Sequence, residues 1–131
     1  MMSATWPTEV IPDEDSLFMR VHRNYIKDDQ PIPGTFRNHG EGDQDGMSTD
    51  WSKYSSAEQT KLRATNPLWQ GGVIKMLVEK VGKIPQQTVQ HAPLDDNRSH
   101  TNVKGPKDTK TRYLLMRSWE WAIQFKSSET A

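Results

Sequence analysis

The densest group of side chains that could do chemistry lies between His91 and His100. These ten residues hold two imidazoles, two aspartates and an arginine. Two histidines and Asp95 suit a divalent metal or acid–base catalysis on a phosphodiester, because imidazole ligates metals and exchanges protons near neutral pH. The spacing matches no zinc or nuclease signature. His91, Asp95 and His100 are candidate catalytic residues; the alternative is a polar turn capped by Asp95 or Asn97.

A second group is the basic segment from Arg98 to Arg117, in which six cations stand against one acid, Asp108. Two of its lysines precede a predicted helix start, where exposed N–H groups and the helix dipole favour an anion such as phosphate. The segment predicts contact with nucleic acid, phosphate or a protein partner. The alternatives are a solvated basic face and pairing with the acidic half of the chain. The candidate anion- or partner-binding residues are Arg98, Lys104, Lys107, Lys110, Arg112 and Arg117.

A third pattern is the series Arg20, Phe36 and Ser48-Thr49. It resembles ADP-ribosyltransferase-like folds, which place an Arg or His on the first strand and a Ser-Thr pair after a loop. The resemblance implies that Arg20 is a candidate catalytic residue. The acidic signature that should follow late in the chain is missing, because Glu120 and Glu129 fall in or after the last predicted helix. The alternative is that Arg20 is a cation on a strand surface.

The loop from Glu41 to Ser52 has the front half of an EF-hand pattern. Oxygen donors stand at its first, third and fifth positions, and Gly46 is sixth. Calcium needs such alternation because it collects several oxygens around a sharp turn. The twelfth position is Ser52, where a bidentate Glu belongs. We therefore expect an acidic, glycine-rich loop without tightly held calcium, and no metal or cofactor is predicted for the chain.

Composition excludes several classes of protein. The chain has 131 residues, 33% of them hydrophobic, and no cysteine. Disulfides, zinc-thiolate sites, iron–sulfur clusters and cysteine nucleophiles are therefore excluded. No apolar run approaches the roughly 20 residues of a membrane helix, and the first 16 residues lack the pattern of a signal peptide. These features predict a single domain with a small core, located in the cytoplasm and without contact with a membrane.

Charge is balanced overall, with 17 basic and 17 acidic residues, but it is divided along the chain. Residues 1–60 hold 5 Lys/Arg and 11 Asp/Glu, whereas residues 61–131 hold 12 Lys/Arg and 6 Asp/Glu. The division hints at an anionic partner for the basic half. It is equally compatible with the acidic half lying on the basic half.

Hydrophobic spacing predicts the elements that must position these groups. Alternation over 17–21 predicts a strand, and residues 27–50 form a long loop-rich stretch. Ser55 as N-cap with Glu58 predicts a helix over 55–65. The apolar stripe of residues 73–81 favours a second helix, although its β-branched residues also suit a strand.

The C-terminal third is predicted to contain a hairpin and a helix. Residues 88–91 and 100–103 form the hairpin strands, and 108–125 form a helix capped by Asp108. Trp119 and Trp121 are two residues apart and cannot share one helical face. One of the two is therefore expected to be exposed or to pack on a partner.

Four stretches resemble a family of small uncharacterised bacterial proteins over roughly residues 10–117. They are DEDSLFMRVHRNYI, GTFRN, GMSTDWSKYSSAE and VQHAPLDDNRSHTNVKG. The resemblance implies a bacterial or phage-related origin and one complete domain. It carries no activity and no site residues.

Together these features predict a small single α+β domain, with a few short strands and two or three helices. Residues 1–16 form an irregular lead-in, 17–126 the domain and 127–131 a frayed tail. The low hydrophobic content, the long loop and the divided charge suggest a chain that is fully ordered only against a partner. We expect a non-catalytic interaction protein, an accessory subunit of a bacterial multi-protein or nucleoprotein system. The alternative is a small enzyme acting on nucleic acid or a nucleotide, nuclease-like or ADP-ribosyltransferase-like.

Overall fold

The fold is built on an antiparallel sheet of six strands, in a computed structural model that describes residues 6–38 and 46–125. The strands lie in the order β6-β7-β4-β1-β5-β8, and β2 and β3 form a separate small hairpin. The strands are β1 (Ser16–His22), β2 (Ile26–Lys27), β3 (Gln30–Pro31), β4 (Met47–Trp51), β5 (Gly71–Leu77), β6 (Thr88–His91), β7 (His100–Lys104) and β8 (Trp119–Ile123). The helices are α1 (Ala57–Leu62), α2 (Val78–Gly82) and α3 (Thr109–Leu115), with short 3-10 turns at Arg23–Tyr25 and Pro33–Thr35. The predicted α+β class is confirmed.

Strand β1 shows the difference between the apolar and the polar face of the sheet. Its alternation buries Leu17, Met19 and Val21 on one face, as predicted. That face meets α2 and α3 through Val81 and Leu115 and forms the core. The intervening residues of β1 lie on the opposite, polar face, which α1 partly covers. Arg20, a candidate functional residue of β1, therefore lies on the polar face, away from the core.

The helix predicted over 73–81 is wrong for its first half. Strand β5 occupies Gly71–Leu77, and only Val78–Gly82 is helical. The strand lies between β1 and β8, and four consecutive residues from Gly71 to Ile74 are buried. A strand buried on both faces reads as a continuous apolar run rather than an alternation, so it imitates a helical stripe. Glycine is required at Gly71, because an added Cβ would lie 2.1 Å from the Val21 carbonyl oxygen.

The helix predicted over 108–125 is likewise too long. Helix α3 ends at Leu115, and β8 runs along β5 with Trp121 opposite Ile74 and Trp119 opposite Met76. Residues two apart share one face of a strand, so both indole rings pack against the core, edge to face at 5.2 Å. Neither tryptophan needs an external partner, and that expectation is corrected.

Helix α1 begins one residue later than predicted. Its capping box is formed by Ser56 and Gln59, not by Ser55 and Glu58. The Ser55 hydroxyl is instead buried and shares a hydrogen bond of 2.9 Å with Thr60 Oγ1. Two adjacent serines made the register ambiguous in the sequence, and burial of the first resolves it.

The stretch 27–50 contains more structure than the loop prediction allowed. The β2–β3 hairpin turns through Asp28 and Asp29, both at positive φ, as a two-residue hairpin turn requires. Strand β4 then begins at Met47 and pairs with β1 and β7. The predicted hairpin of residues 88–103 is confirmed as β6 and β7. None of the helices in the described ranges is long and apolar enough to cross a membrane.

Candidate functional site

An open groove of about 710 Å³ lies over the polar face of β1, β4 and β7. Its floor consists of strand residues, and its walls are α1, the turn after β1 and the segments that precede β4, β5 and β7. The polar strand residues on its floor are Arg20, His22, Ser48, Asp50 and His100. The volume lies within the range of pockets that bind small molecules. The strand alternation brings these side chains together, because every second residue points to the same face.

Asp50 fixes the middle of this floor. Its Oδ2 accepts hydrogen bonds from Thr60 Oγ1 at 2.8 Å and Arg63 Nη1 at 2.9 Å, and its Oδ1 accepts one from Asn97 at 2.9 Å. The carboxylate is buried, so these three donors offset the loss of its hydration. Asp50 therefore fastens α1 and the turn before β7 to the sheet, and neither of its oxygens is free of a donor.

Ser48 and His100 form a hydrogen-bonded pair beside Asp50. His100 Nδ1 lies 2.8 Å from the Ala92 carbonyl oxygen, and Nε2 lies 3.0 Å from Ser48 Oγ. A carbonyl only accepts, so Nδ1 carries the proton of the neutral ring and Nε2 accepts from the serine hydroxyl. A serine donating to a histidine that a third group orients is the arrangement that activates a nucleophile.

The other end of the groove, here the arginine end, consists of Arg20, His22, Tyr25, Arg37 and Trp69. Arg20 Nη1 donates to the Thr60 carbonyl oxygen at 2.7 Å, and the Arg37 guanidinium lies 4.5 Å from the centre of the Tyr25 ring. Partial burial lowers the pKa of Arg20, and Asp50 opposes that shift. Within the described part of the chain, neither Arg20 nor Arg37 has a carboxylate at ion-pair distance.

The rings at the arginine end lie close to one another. The His22 and Trp69 rings meet edge to face at 6.1 Å, and His22 Nδ1 accepts the Asn24 N–H. The Trp69 ring lies directly over Gly71, since a Cβ there would be 2.8 Å from it. This end of the groove therefore combines two cations with aromatic surface.

His91 and His100 do lie on neighbouring strands of one hairpin, as predicted, but their side chains do not meet. His91 pairs with Thr101, and paired residues share a face of the sheet. The side chain of His100, the residue before Thr101, therefore lies on the opposite face. His91 is buried beside Trp51, its Nδ1 accepts the Glu9 N–H at 3.0 Å, and its Nε2 lies 2.7 Å from the Arg98 carbonyl oxygen. The structure thus does not assemble the predicted pair.

Asp95, the third member of that cluster, is exposed in the turn between β6 and β7 and does not line the groove. The turn is closed by a bridge between Leu94 and Asn97. In residues 6–38 and 46–125, no three of His, Asp and Glu are arranged to hold a metal ion. The first five residues of the EF-hand-like pattern, 41–45, lie outside the described residues. Its twelfth residue, Ser52, pairs with Ser16 after the end of β4.

The basic segment is divided between structural and exposed cations. Arg98 stacks between Trp6 and Tyr54, at 4.5 and 4.1 Å, and lies 3.6 Å from Glu9. Lys107 Nζ donates to carbonyl oxygens of Val103 and Gly105 and to the Asn38 side chain, and Arg112 Nε donates to the Phe36 carbonyl oxygen. Three of the six cations therefore stabilise the fold. Lys104 is half-buried, Lys110 is exposed, and Arg117 lies 5.8 Å from the Tyr113 ring.

The ADP-ribosyltransferase-like series is assembled only in part. Arg20 and Ser48 line the same groove on adjacent strands. Phe36 is fully buried in the core, and Thr49 bonds Thr101 on the apolar side of the sheet. Glu120 lies on β8 against Lys75 and outside the groove.

Sequence reasoning missed several groove residues. His22 could have been found, because it follows Arg20 by two positions on a strand. Arg37 and Trp69 lie in loops, where no periodicity of the sequence predicts their positions.

In comparisons with protein-family models, curated proteins and solved structures, none matched this chain.

Proposed function

We propose that the chain is a non-catalytic interaction protein, an accessory subunit of a bacterial, cytoplasmic multi-protein or nucleoprotein system, which binds its partner in the groove over the polar sheet face. The observation that supports this is the rim of the groove. Leu62 is 80% exposed and Leu94 is 46% exposed, and both line the groove together with the polar residues of its floor. Large apolar side chains around a concave surface mark binding sites, because contact removes them from water.

The state of Asp50 supports binding rather than catalysis. A general acid or base must exchange its proton with a substrate. Both oxygens of Asp50 already accept hydrogen bonds from Thr60, Arg63 and Asn97, so this carboxylate serves the architecture of the groove.

Site-specific photo-crosslinking in native cells tests this function. A photoreactive residue is placed at Leu62 or at Leu94, and at Val10, which is 92% exposed and outside the groove. We expect one shared partner from the two groove positions and not from Val10. The purified partner should bind the wild type, and Leu62→Asp should weaken binding about tenfold or more. Identical products at all three positions, or no product at either groove position, would contradict the proposal.

The exposed cations of the basic segment form a second candidate contact surface. Lys107 is excluded from such a role because its ammonium bonds three oxygen acceptors inside the fold. The triple variant Lys104→Ala, Lys110→Ala and Arg117→Ala tests the remaining cations. If partner binding weakens in this variant and is unchanged by Leu62→Asp, the basic segment rather than the groove is the contact surface.

A second candidate function, a small enzyme acting on nucleic acid or a nucleotide, is favoured by the Ser48–His100 hydrogen bond. Here Ser48 would be the nucleophile and His100 the base, with the Ala92 carbonyl orienting the ring. A fluorophosphonate probe tests this role. Labelling of the wild type that is lost in Ser48→Ala and reduced in His100→Ala would establish the nucleophile. A wild type that resists labelling argues against a serine nucleophile.

A further inference from the structure

The arginine end of the groove holds two guanidinium groups fixed by neutral partners. Arg20 is positioned by the Thr60 carbonyl oxygen at 2.7 Å. Arg37 is positioned by the Tyr25 ring and by a 3.5 Å contact of Nη1 with the Gly34 carbonyl oxygen. Each guanidinium carries five N–H donors, and these contacts use only one on each. The remaining N–H donors belong to guanidinium groups whose positions these contacts already restrict. Less conformational entropy is therefore lost when an anion binds.

The rings beside these cations define a second kind of surface. Tyr25 and Trp69 are half-buried, and both line the groove with His22. Gly71 lets the Trp69 ring lie on the strand end, because any side chain there would displace it. A nucleobase stacks on such aromatic side chains, and this stacking adds to affinity with little dependence on which base is bound.

We propose that the arginine end of the groove binds a nucleoside phosphate, with the phosphate on Arg20 and Arg37 and the base against Tyr25 or Trp69. The proposal rests on the proposed function in that it assigns an occupant to the same groove. A carboxylate side chain of a protein partner would use the arginines but not the aromatic surface. A nucleoside phosphate uses both, and the groove volume of about 710 Å³ is sufficient for one. Its source is either a free nucleotide or a single-stranded nucleic acid.

Titrations of the purified chain with defined probes test this assignment. The probes are AMP, ATP, a ten-nucleotide single-stranded RNA, the matching RNA duplex and inorganic phosphate, with binding followed by calorimetry or fluorescence anisotropy. We expect Arg20→Ala and Arg37→Ala each to weaken binding about tenfold or more, as loss of a charge-assisted hydrogen bond does. Lys80→Ala removes one positive charge at an exposed position outside the groove and should change affinity less than about twofold.

Further variants separate the two halves of the site. Trp69→Ala and Tyr25→Ala should weaken AMP and RNA binding, singly or together, and leave inorganic phosphate unaffected. Arg20→Lys keeps the charge, and recovery of part of the affinity excludes misfolding as the cause of loss in Arg20→Ala. Far-ultraviolet circular dichroism of every variant checks the fold.

The outcomes are distinct. Binding of AMP or ATP identifies a free nucleotide, and binding of single-stranded RNA alone identifies a nucleic-acid strand; both support the proposal. Absence of binding at low salt, binding of all anions in proportion to charge, or loss of binding in Lys80→Ala but not in Arg37→Ala would overturn it. If the groove crosslinks a protein while nucleotides fail to bind, this inference is wrong and the interaction function remains.

Discussion

Two of the arginine–aromatic contacts lie at different places on this molecule, and among the described residues only one of these two has a carboxylate beside the guanidinium. Arg98 lies over Tyr54 and Trp6 and has Glu9 as its counter-ion. Arg37 lies over Tyr25, with no carboxylate at ion-pair distance in the described residues. The same pair of side-chain types therefore serves different ends. The first contact attaches the N-terminal segment to the rest of the fold, and the second holds a cation that we propose as part of a ligand site.

We refer to Trp6, Glu9, Tyr54, His91 and Arg98 as the strap cluster. Here the irregular N-terminal segment crosses to β6, where the Glu9 N–H bonds His91 Nδ1 and the Glu9 carboxylate bonds Lys53 and Tyr54. The acidic and basic halves of the chain do meet here, which explains part of the charge division. The comparison predicts that substitutions in the strap cluster reduce stability, whereas substitutions at the arginine end reduce binding.

The largest effect on stability is expected at Asp50, in the floor of the groove. Asp50→Ala leaves Arg63 without its counter-ion and Thr60 and Asn97 without an acceptor, so we expect a loss of about 3 kcal/mol in the free energy of unfolding. Urea denaturation measures it. In the double variant Asp50→Ala with Arg63→Ala the loss should be smaller than the sum of the single losses, because no unpaired charge remains. A loss below about 1 kcal/mol in Asp50→Ala would show that the groove floor is not fixed by this network.

His91→Ala is expected to rank second, at about 2–3 kcal/mol. It removes a buried ring that packs on Trp51 at 5.0 Å and leaves the Glu9 N–H and the Arg98 carbonyl oxygen without partners. The matched control is His22→Ala at the arginine end, where the half-buried ring should contribute less than about 0.5 kcal/mol. Equal losses in the two variants, measured by urea denaturation, would remove the distinction between the regions.

His91 and His100 show how much of the candidate site could be predicted from the sequence. The hairpin itself was predictable, because turn residues separate two short β-prone stretches. The face on which each histidine lies depends on the register, and a shift of one residue would exchange them. One hydrogen-bond partner of His91, the Glu9 N–H, lies in the N-terminal segment, 82 residues away in sequence. Local spacing carries no information about such contacts.

The wrong helix predictions have a different physical cause. Residues 73–77 lie in a strand that is largely buried on both faces, so the apolar residues lack the alternation that identifies half-buried strands. Residues 119–123 do alternate, with Trp119, Trp121 and Ile123 on one side, but the helical residues just before them concealed the change of period. The polar face of β1 was predictable from Arg20 alone. The position of Arg37 in the groove was not predictable, because Arg37 follows a 3-10 turn whose position depends on tertiary contacts.

Arg98→Ala is expected to lower the free energy of unfolding by about 1 kcal/mol, because the guanidinium packs on two rings and faces Glu9. Arg37→Ala removes a similar stack at the arginine end, on one ring and without a carboxylate, and should change stability by less than about 0.5 kcal/mol. Thermal and urea denaturation of both variants give the values. A reversed ranking would mean that Arg37, not Arg98, is the structural arginine.

The smallest expected effect is the contribution of Glu9 at acid pH. Hydrogen bonds from Lys53 and Tyr54 hold the pKa of Glu9 below its ordinary value of 4.5. A lowered pKa in the folded state means that the fold favours the carboxylate. The stabilisation is therefore present above pH 4.5 and is lost as the pH falls through the lower folded value. Urea midpoints of the wild type should accordingly fall as the pH is lowered from 7 to 3.

Glu9→Gln should flatten part of this decline, since its side chain has no carboxylate to titrate. The exposed Glu14→Gln should leave the decline unchanged, because Glu14 makes no ion pair in the described structure. Asp108 caps α3, and hydrogen bonds from Thr111 lower its pKa, so some acid sensitivity remains in Glu9→Gln. If Glu9→Gln and Glu14→Gln decline in parallel with the wild type, Glu9 does not stabilise the strap cluster, and the contrast between the two arginine–aromatic stacks loses its electrostatic basis.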